Sequence, residues 1–224
     1  MVAPYSEPSP KTVFVAGARR NAGKTSVCEL LLRSLPGAGA IKLTCCRPDQ
    51  GCPRDHPCGV CGALLRPFAV IEDQLVLSQR GKDTARLLAA ATGKAVWLQS
   101  REEAMPEAMA AALARFATAP VVVVEGNAAF QAARPDLGVL VVGSGGAPPK
   151  PSVRVALPAV GVVVRNLRPG LAPPAAVEGL GEDIPTFEFD AAHPEADPRA
   201  DAFVDWVAHS VGFERPVTGE QRRR

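Results

Sequence analysis

Between positions 17 and 25 the chain reads Gly-Ala-Arg-Arg-Asn-Ala-Gly-Lys-Thr. Small residues let main-chain N–H groups turn inward around an anion, and a lysine followed by a hydroxyl side chain supplies a cation and a metal-binding oxygen. The pattern suits a polyphosphate carried with Mg²⁺. Gly17, Arg19, Asn21, Ala22, Gly23, Lys24, Thr25 and Ser26 would form the cradle, Lys24 reaching the terminal phosphates and Thr25 placing its hydroxyl on the metal. Five residues separate Gly17 from Gly23, where the usual motif has about four, so Ala18 stands at the customary first-glycine place. Arg19 and Arg20 lie in the loop itself, either to neutralise phosphate charge or to face solvent.

Acidic partners for the metal are sought elsewhere. Glu125 ends the run Val121–Val124 at a point where α/β sheets bind ligands, and could hold Mg²⁺ or orient a nucleophile; otherwise it serves a turn. Asp83, in Gly81-Lys82-Asp83-Thr84, is either a second acid beside the magnesium or the cap of a helix. Lys42 comes close to the phosphates if it points upward from its strand, and is a solvated strand residue if it does not.

Five of the six cysteines crowd into positions 45–61. Cys46, Cys52, Cys58 and Cys61 give C-x5-C-x5-C-x2-C, interleaved with prolines and glycines. Four thiolates on so stiff a loop could close a tetrahedral Zn²⁺ site, or alternatively hold an iron–sulfur cluster. Cys45 could replace Cys46, and His56 one thiolate. Cys28 stands apart, as a small apolar residue of a helix.

These residues need a scaffold that brings them to one edge. Thr12–Ala16, Ala40–Thr44, Ala95–Gln99, Val121–Val124, Gly138–Val142 and Val160–Val164 are short apolar runs, the form of strands buried on both faces. Helical spacing appears over Ser26–Leu35, Asp83–Thr92, Glu103–Ala117 and Asp201–Ser210. Phe68–Ile71 and Gln74–Leu77 flank Glu72-Asp73 as in a short hairpin. The alternation predicts an α/β fold, a mostly parallel sheet with helices on both faces, the cysteine-rich loop being inserted after the second strand. Residues 1–10, with three prolines, read as a disordered lead-in, 11–212 as the folded domain and 213–224 as a basic tail.

Composition removes several classes. Of 224 residues, 47% are hydrophobic and 21% charged, which is too apolar for general disorder. A formal net charge of +2 gives no field for nucleic acid. No stretch reaches the roughly 18 apolar residues of a membrane span. The leader MVAPYSEPSPK has no basic start and no apolar core, so a cytoplasmic location is expected.

The loop, the Ile41-Lys42 ending of the second strand, Gly81–Thr84 and VVVVEG at 121–126 resemble the SIMIBI class of P-loop NTPases, in particular the molybdopterin-guanine dinucleotide biosynthesis protein B family. The five-residue glycine spacing, Glu125-Gly126 and VVVRNLRPGL at 162–171 are similar to dethiobiotin synthetase, an ATP-dependent ligase, in which an asparagine after the late strand recognises adenine; it maps onto Asn166. The NKxD guanine signature is absent, and both ATP and GTP remain candidates. The resemblance implies a Mg²⁺-dependent nucleoside triphosphatase serving cofactor or metallocentre assembly, with Lys24, Glu125 and Asp83 as catalytic candidates, a metalloprotein client and a homodimer. Two rival readings are a ligase or kinase acting on a small-molecule substrate, and a nucleotide-gated metal-binding module that does not hydrolyse.

Overall fold

The computed structural model describes residues 9–46, 64–146 and 148–215. Its centre is β1 (Lys11–Gly17), in which every residue after Lys11 is buried. β-Branched and aromatic side chains on both faces favour an extended strand covered on two sides. Around it lie β2 (Gly39–Cys46), β3 (Phe68–Ile71), β4 (Ala95–Arg101), β5 (Val121–Glu125), β6 (Leu137–Gly143), β7 (Val160–Asn166) and β8 (Thr186–Phe189). The eight strands run in the order β3-β4-β2-β5-β1-β6-β7-β8. All neighbours are parallel except β3, which lies antiparallel to β4.

The helices are α1 (Lys24–Ser34), α2 (Gln74–Leu77), α3 (Asp83–Ala90), α4 (Met105–Leu113), α5 (Ala129–Ala132) and α6 (Pro198–Ser210). Alternating residues of the sheet supply two cores. Val13, Val15 and Val123 pack with Leu31 of α1, Leu87 of α3 and Phe203 of α6. Phe14, Ile41 and Val124 pack on the opposite face with Met105 and Met109 of α4. The mostly parallel, doubly covered sheet is therefore the architecture that the alternating pattern implies.

Three local details differ from the sequence reading. The expected hairpin does not form: β3 pairs with β4, and 74–77 turns into a helix because the Asp73 carboxylate accepts from the N–H groups of Leu75 (2.8 Å) and Val76 (3.4 Å). The helix expected over Glu103–Ala117 is regular only from Met105 to Leu113, with tighter turns at Glu102–Ala104 and Ala114–Phe116. An eighth strand, Thr186–Phe189, closes the far edge, where its polar alternation hid it among acidic residues. The expected lead-in is outside the described residues except for its last two, and the tail except for its first three.

β8 and α6 are held by aromatic packing. The Phe203 ring lies 5.7 Å from that of Phe187 and 5.6 Å from that of Phe189, and Phe203 is fully buried. Phe203→Ala is expected to lower the unfolding free energy by about 3–5 kcal/mol. Urea denaturation followed by fluorescence measures it, and a loss under about 1 kcal/mol would remove this contact as the anchor of the edge.

Candidate functional site

Strand order places the site. β5 lies between β1 and β2, in a register that sets Glu125 beside Val15 on one side and Lys42 on the other. Parallel neighbours in register point to the same face, so the Glu125 carboxylate and the Lys42 ammonium meet by construction. The Lys42 Nζ donates to Glu125 Oε1 at 2.5 Å and to Asp83 Oδ2 at 2.7 Å. On its other side Glu125 accepts from Thr25 Oγ1, at 3.2 Å (Oε1) and 3.1 Å (Oε2). Glu125 is 1% exposed and Thr25 8%.

Asp83 reaches Lys42 because α3 is fastened to α1. Arg86 donates to both carboxylate oxygens of Glu29, at 3.0 and 2.6 Å, and its second Nη2 bond reaches Ser26 Oγ at 3.0 Å. Ser26, expected in the cradle, thus has its hydroxyl on Arg86. Asp83 is the first residue of α3 and not its cap, against the capping alternative: the N-cap is Lys82, and the Asp83 carboxylate lies on Lys42 instead.

The loop between β1 and α1 is pinned from below. Gly17 N–H donates to Asn127 Oδ1 and Asn127 Nδ2 donates back to the Gly17 carbonyl, both at 3.0 Å. Ala18 N–H donates to the Val141 carbonyl at 2.9 Å. The Asn166 Nδ2 donates to the Ala22 carbonyl at 2.9 Å, while its Oδ1 accepts from Ala191 N–H at 2.8 Å. Asn166 is 1% exposed, with its amide committed to backbone at both ends. In this geometry it braces the loop. Asn127, which the sequence reading did not single out, has the equivalent task at the loop's start. A polar residue two positions after a buried strand-end acid was the available signal.

Backbone conformation fits an anion cradle. Asn21 has φ 55° and Gly23 φ 102°, the left-handed region that asparagine and glycine tolerate. A Cβ on Gly17 would stand 2.7 Å from Lys24 Cγ and 3.2 Å from Lys24 Nζ, so the lysine side chain folds back over a loop position that has no side chain of its own. α1 begins at Lys24 with no side-chain cap and no acid in its first turn, which leaves its first N–H groups and positive dipole end for a ligand. Arg19 stacks over the next connection: a Cβ on Gly145 would lie 2.8 Å from its Nη2. The Arg19 Nε is buried without a hydrogen-bond partner among the described residues.

Charge at the site is uneven. Burial lowers the Lys24 pKa, and Lys42 lowers it further against the pull of Glu125. Burial also opposes the Lys42 ammonium, but Glu125 and Asp83 outweigh it and raise its pKa above the ordinary lysine value. Asp83 is pushed up by burial and pulled down more strongly by Lys42, and ends below the usual carboxylate range. The Cys28 thiol is fully buried on α1, and burial raises its pKa well above the ordinary value, so it is a packing residue without nucleophilic character.

Of the four cysteines expected to bind metal, Cys46 ends β2, is 1% exposed and packs with Leu64, Ala69 and Trp97. Cys45 faces the opposite core. Cys52, Cys58, Cys61 and His56 lie outside the described residues. Among the described residues no group of three or more His, Cys, Asp or Glu side chains is placed to hold a metal ion, and no helix is long and apolar enough to cross a membrane.

No protein-family profile matches the sequence, and no curated protein matches it. A solved structure described as that of a LAO/AO transport system kinase aligns at a TM-score of 0.48 and 14% identity, covering 91% of this chain and 59% of that one. The chain therefore spans about three fifths of the length of that protein.

The Lys42 pair yields two expectations. Lys42→Met strands a buried carboxylate, and unfolding free energy at pH 7 should fall by about 3–5 kcal/mol, most of it recovered in Lys42→Met/Glu125→Gln; additive losses in that cycle would show the pair to be uncoupled. Asp83, its folded pKa depressed, contributes stability that is present above its unfolded value and lost as pH falls through the folded one. Urea titrations of wild type and Asp83→Asn should therefore differ at neutral pH and converge as pH falls through the depressed folded value. A gap that persists in acid would assign the effect to packing.

Proposed function

We propose that the chain binds a nucleoside triphosphate, ATP or GTP, together with Mg²⁺ and hydrolyses its terminal phosphate. The supporting observation is the pairing of Thr25 and Glu125 beneath an uncapped, backbone-lined loop that carries a half-buried lysine. A hydroxyl and a buried carboxylate 3.1 Å apart are hard oxygen donors suited to Mg²⁺ directly or through its waters. The metal, when bound, supplies charge neutralisation on the phosphate oxygens. The protein does the rest by position: loop N–H groups and the start of α1 donate to phosphate, Lys24 spans its outer oxygens, and Glu125 and Asp83 orient water at the metal's side. Lys42 stands between the two acids and keeps them fixed before any ligand arrives.

The motif resemblance extends this reading to a role in cofactor or metallocentre assembly. The cysteine spacing extends it to a thiolate site of Cys46, Cys52, Cys58 and Cys61 for Zn²⁺, or an iron–sulfur cluster, beyond the end of β2. Elemental analysis of anaerobically purified protein tests that part, one zinc per chain being the expected result.

For the nucleotide reading, phosphate release from ATP and GTP is to be measured with wild type and Lys24→Ala. Lys24→Ala should lose about 100-fold or more in turnover and keep its unfolding midpoint. Equal phosphate release from the two proteins overturns the assignment. Release that begins only when a carboxylic-acid substrate is added would turn the reading towards a ligase or kinase.

A further inference from the structure

The connection from β6 to β7 is laced onto the phosphate loop. Lys150 N–H donates to the Ala18 carbonyl at 2.7 Å. Two residues on, the Ser152 carbonyl and hydroxyl accept from Asn127 Nδ2, at 3.3 and 3.4 Å, the same amide that clamps Gly17. Pro151 follows Lys150 and opens a tight turn, Pro151–Val153, whose Val153 is buried against Ala16, Ala18 and Leu140. The backbone of Lys150 is thereby fixed at the rim of the loop.

From that rim the side chain runs among cations. It is partly buried, lies within Coulombic range of Lys24, Lys42, Arg20 and Glu125, and forms no ion pair with any described carboxylate. Lys42 is different, since two carboxylates compensate it. Lys24 and Lys150 thus share one mouth with no hydrogen-bonded acid between them, an arrangement that repels itself unless a multiply charged anion occupies the space. Burial and the neighbouring cations Lys24, Lys42 and Arg20 pull the Lys150 pKa down to about 8.

From this geometry we infer that Lys150 is a second polyphosphate-binding lysine, held at the rim of the loop beside Lys24. It rests on the nucleotide reading above and adds a residue to it. The ligand class is a linear polyphosphate, the nucleotide's own or inorganic.

Calorimetric binding of inorganic tripolyphosphate tests it without relying on turnover. Wild type, Lys24→Met, Lys150→Met, Lys150→Arg and Arg154→Met are compared, the last an exposed cation of the same connection. Lys150→Met is expected to weaken binding about tenfold or more, with Lys150→Arg and Arg154→Met near wild type and all unfolding midpoints retained. Between pH 7 and 9 wild-type affinity should fall as Lys150 loses its proton, whereas Lys150→Arg should fall less. Binding by Lys150→Met within twofold of wild type overturns the inference, as does parallel pH dependence in wild type and Lys150→Arg. If Lys24→Met alone binds as wild type does, the loop assignment fails while that of Lys150 stands. Absence of wild-type binding overturns both.

Discussion

A single carboxylate organises this molecule. Glu125 is buried at the end of β5, and a buried charge is costly unless it is both paired and hydrogen-bonded. It takes the ammonium of Lys42 from one neighbour and the hydroxyl of Thr25 from the helix that follows the loop. Those partners come from β2 and α1, so the loop, the helix and two strands are fixed relative to one another by one side chain. Asp83 joins through Lys42, and α3 is then obliged to sit where the Arg86–Glu29 pair holds it.

The sheet order makes this arrangement available. Had β2 paired directly with β1, Lys42 could not have faced a strand-end acid of β5. The insertion of β5 between β1 and β2 brings three carboxyl-edge residues, from three distant parts of the chain, into one register. Open α/β sheets place ligands at such an edge, and here the edge also collects five of the nine buried polar residues among those described: Thr25, Glu125, Asn127, Ser144 and Asn166 are all under 9% exposed.

Much of this was legible in the residues themselves. Continuous apolar runs such as Val121–Val124 announced buried parallel strands, and the glycine-lysine-threonine run marked the turn between the first strand and the first helix. What failed to show has physical causes. Thr186–Phe189 alternates polar and apolar side chains and follows an acidic stretch, so an edge strand read as loop. Gln74–Leu77 has the composition of a strand, but one carboxylate at Asp73 tips it into a helical turn. Lys150 sits among prolines and glycines, where sequence says turn and nothing more; only the backbone bond to Ala18 reveals where that turn is anchored. Asn166 was visible as a residue of interest, but its partners, Ala22 and Ala191, are 144 and 25 positions away and no local pattern encodes them.

The two asparagines beneath the loop have a consequence for kinetics. A glycine-bearing segment left loose must surrender its conformational entropy at the moment a ligand arrives, and that loss is subtracted from affinity. Here Asn127 and Asn166 collect the loss during folding, since they tie Gly17 to the segment that follows β5 and Ala22 to β7. If the loop takes an anion as proposed, that anion meets donors already aimed, and its encounter rate is set by diffusion and field rather than by waiting for a rare shape of the loop.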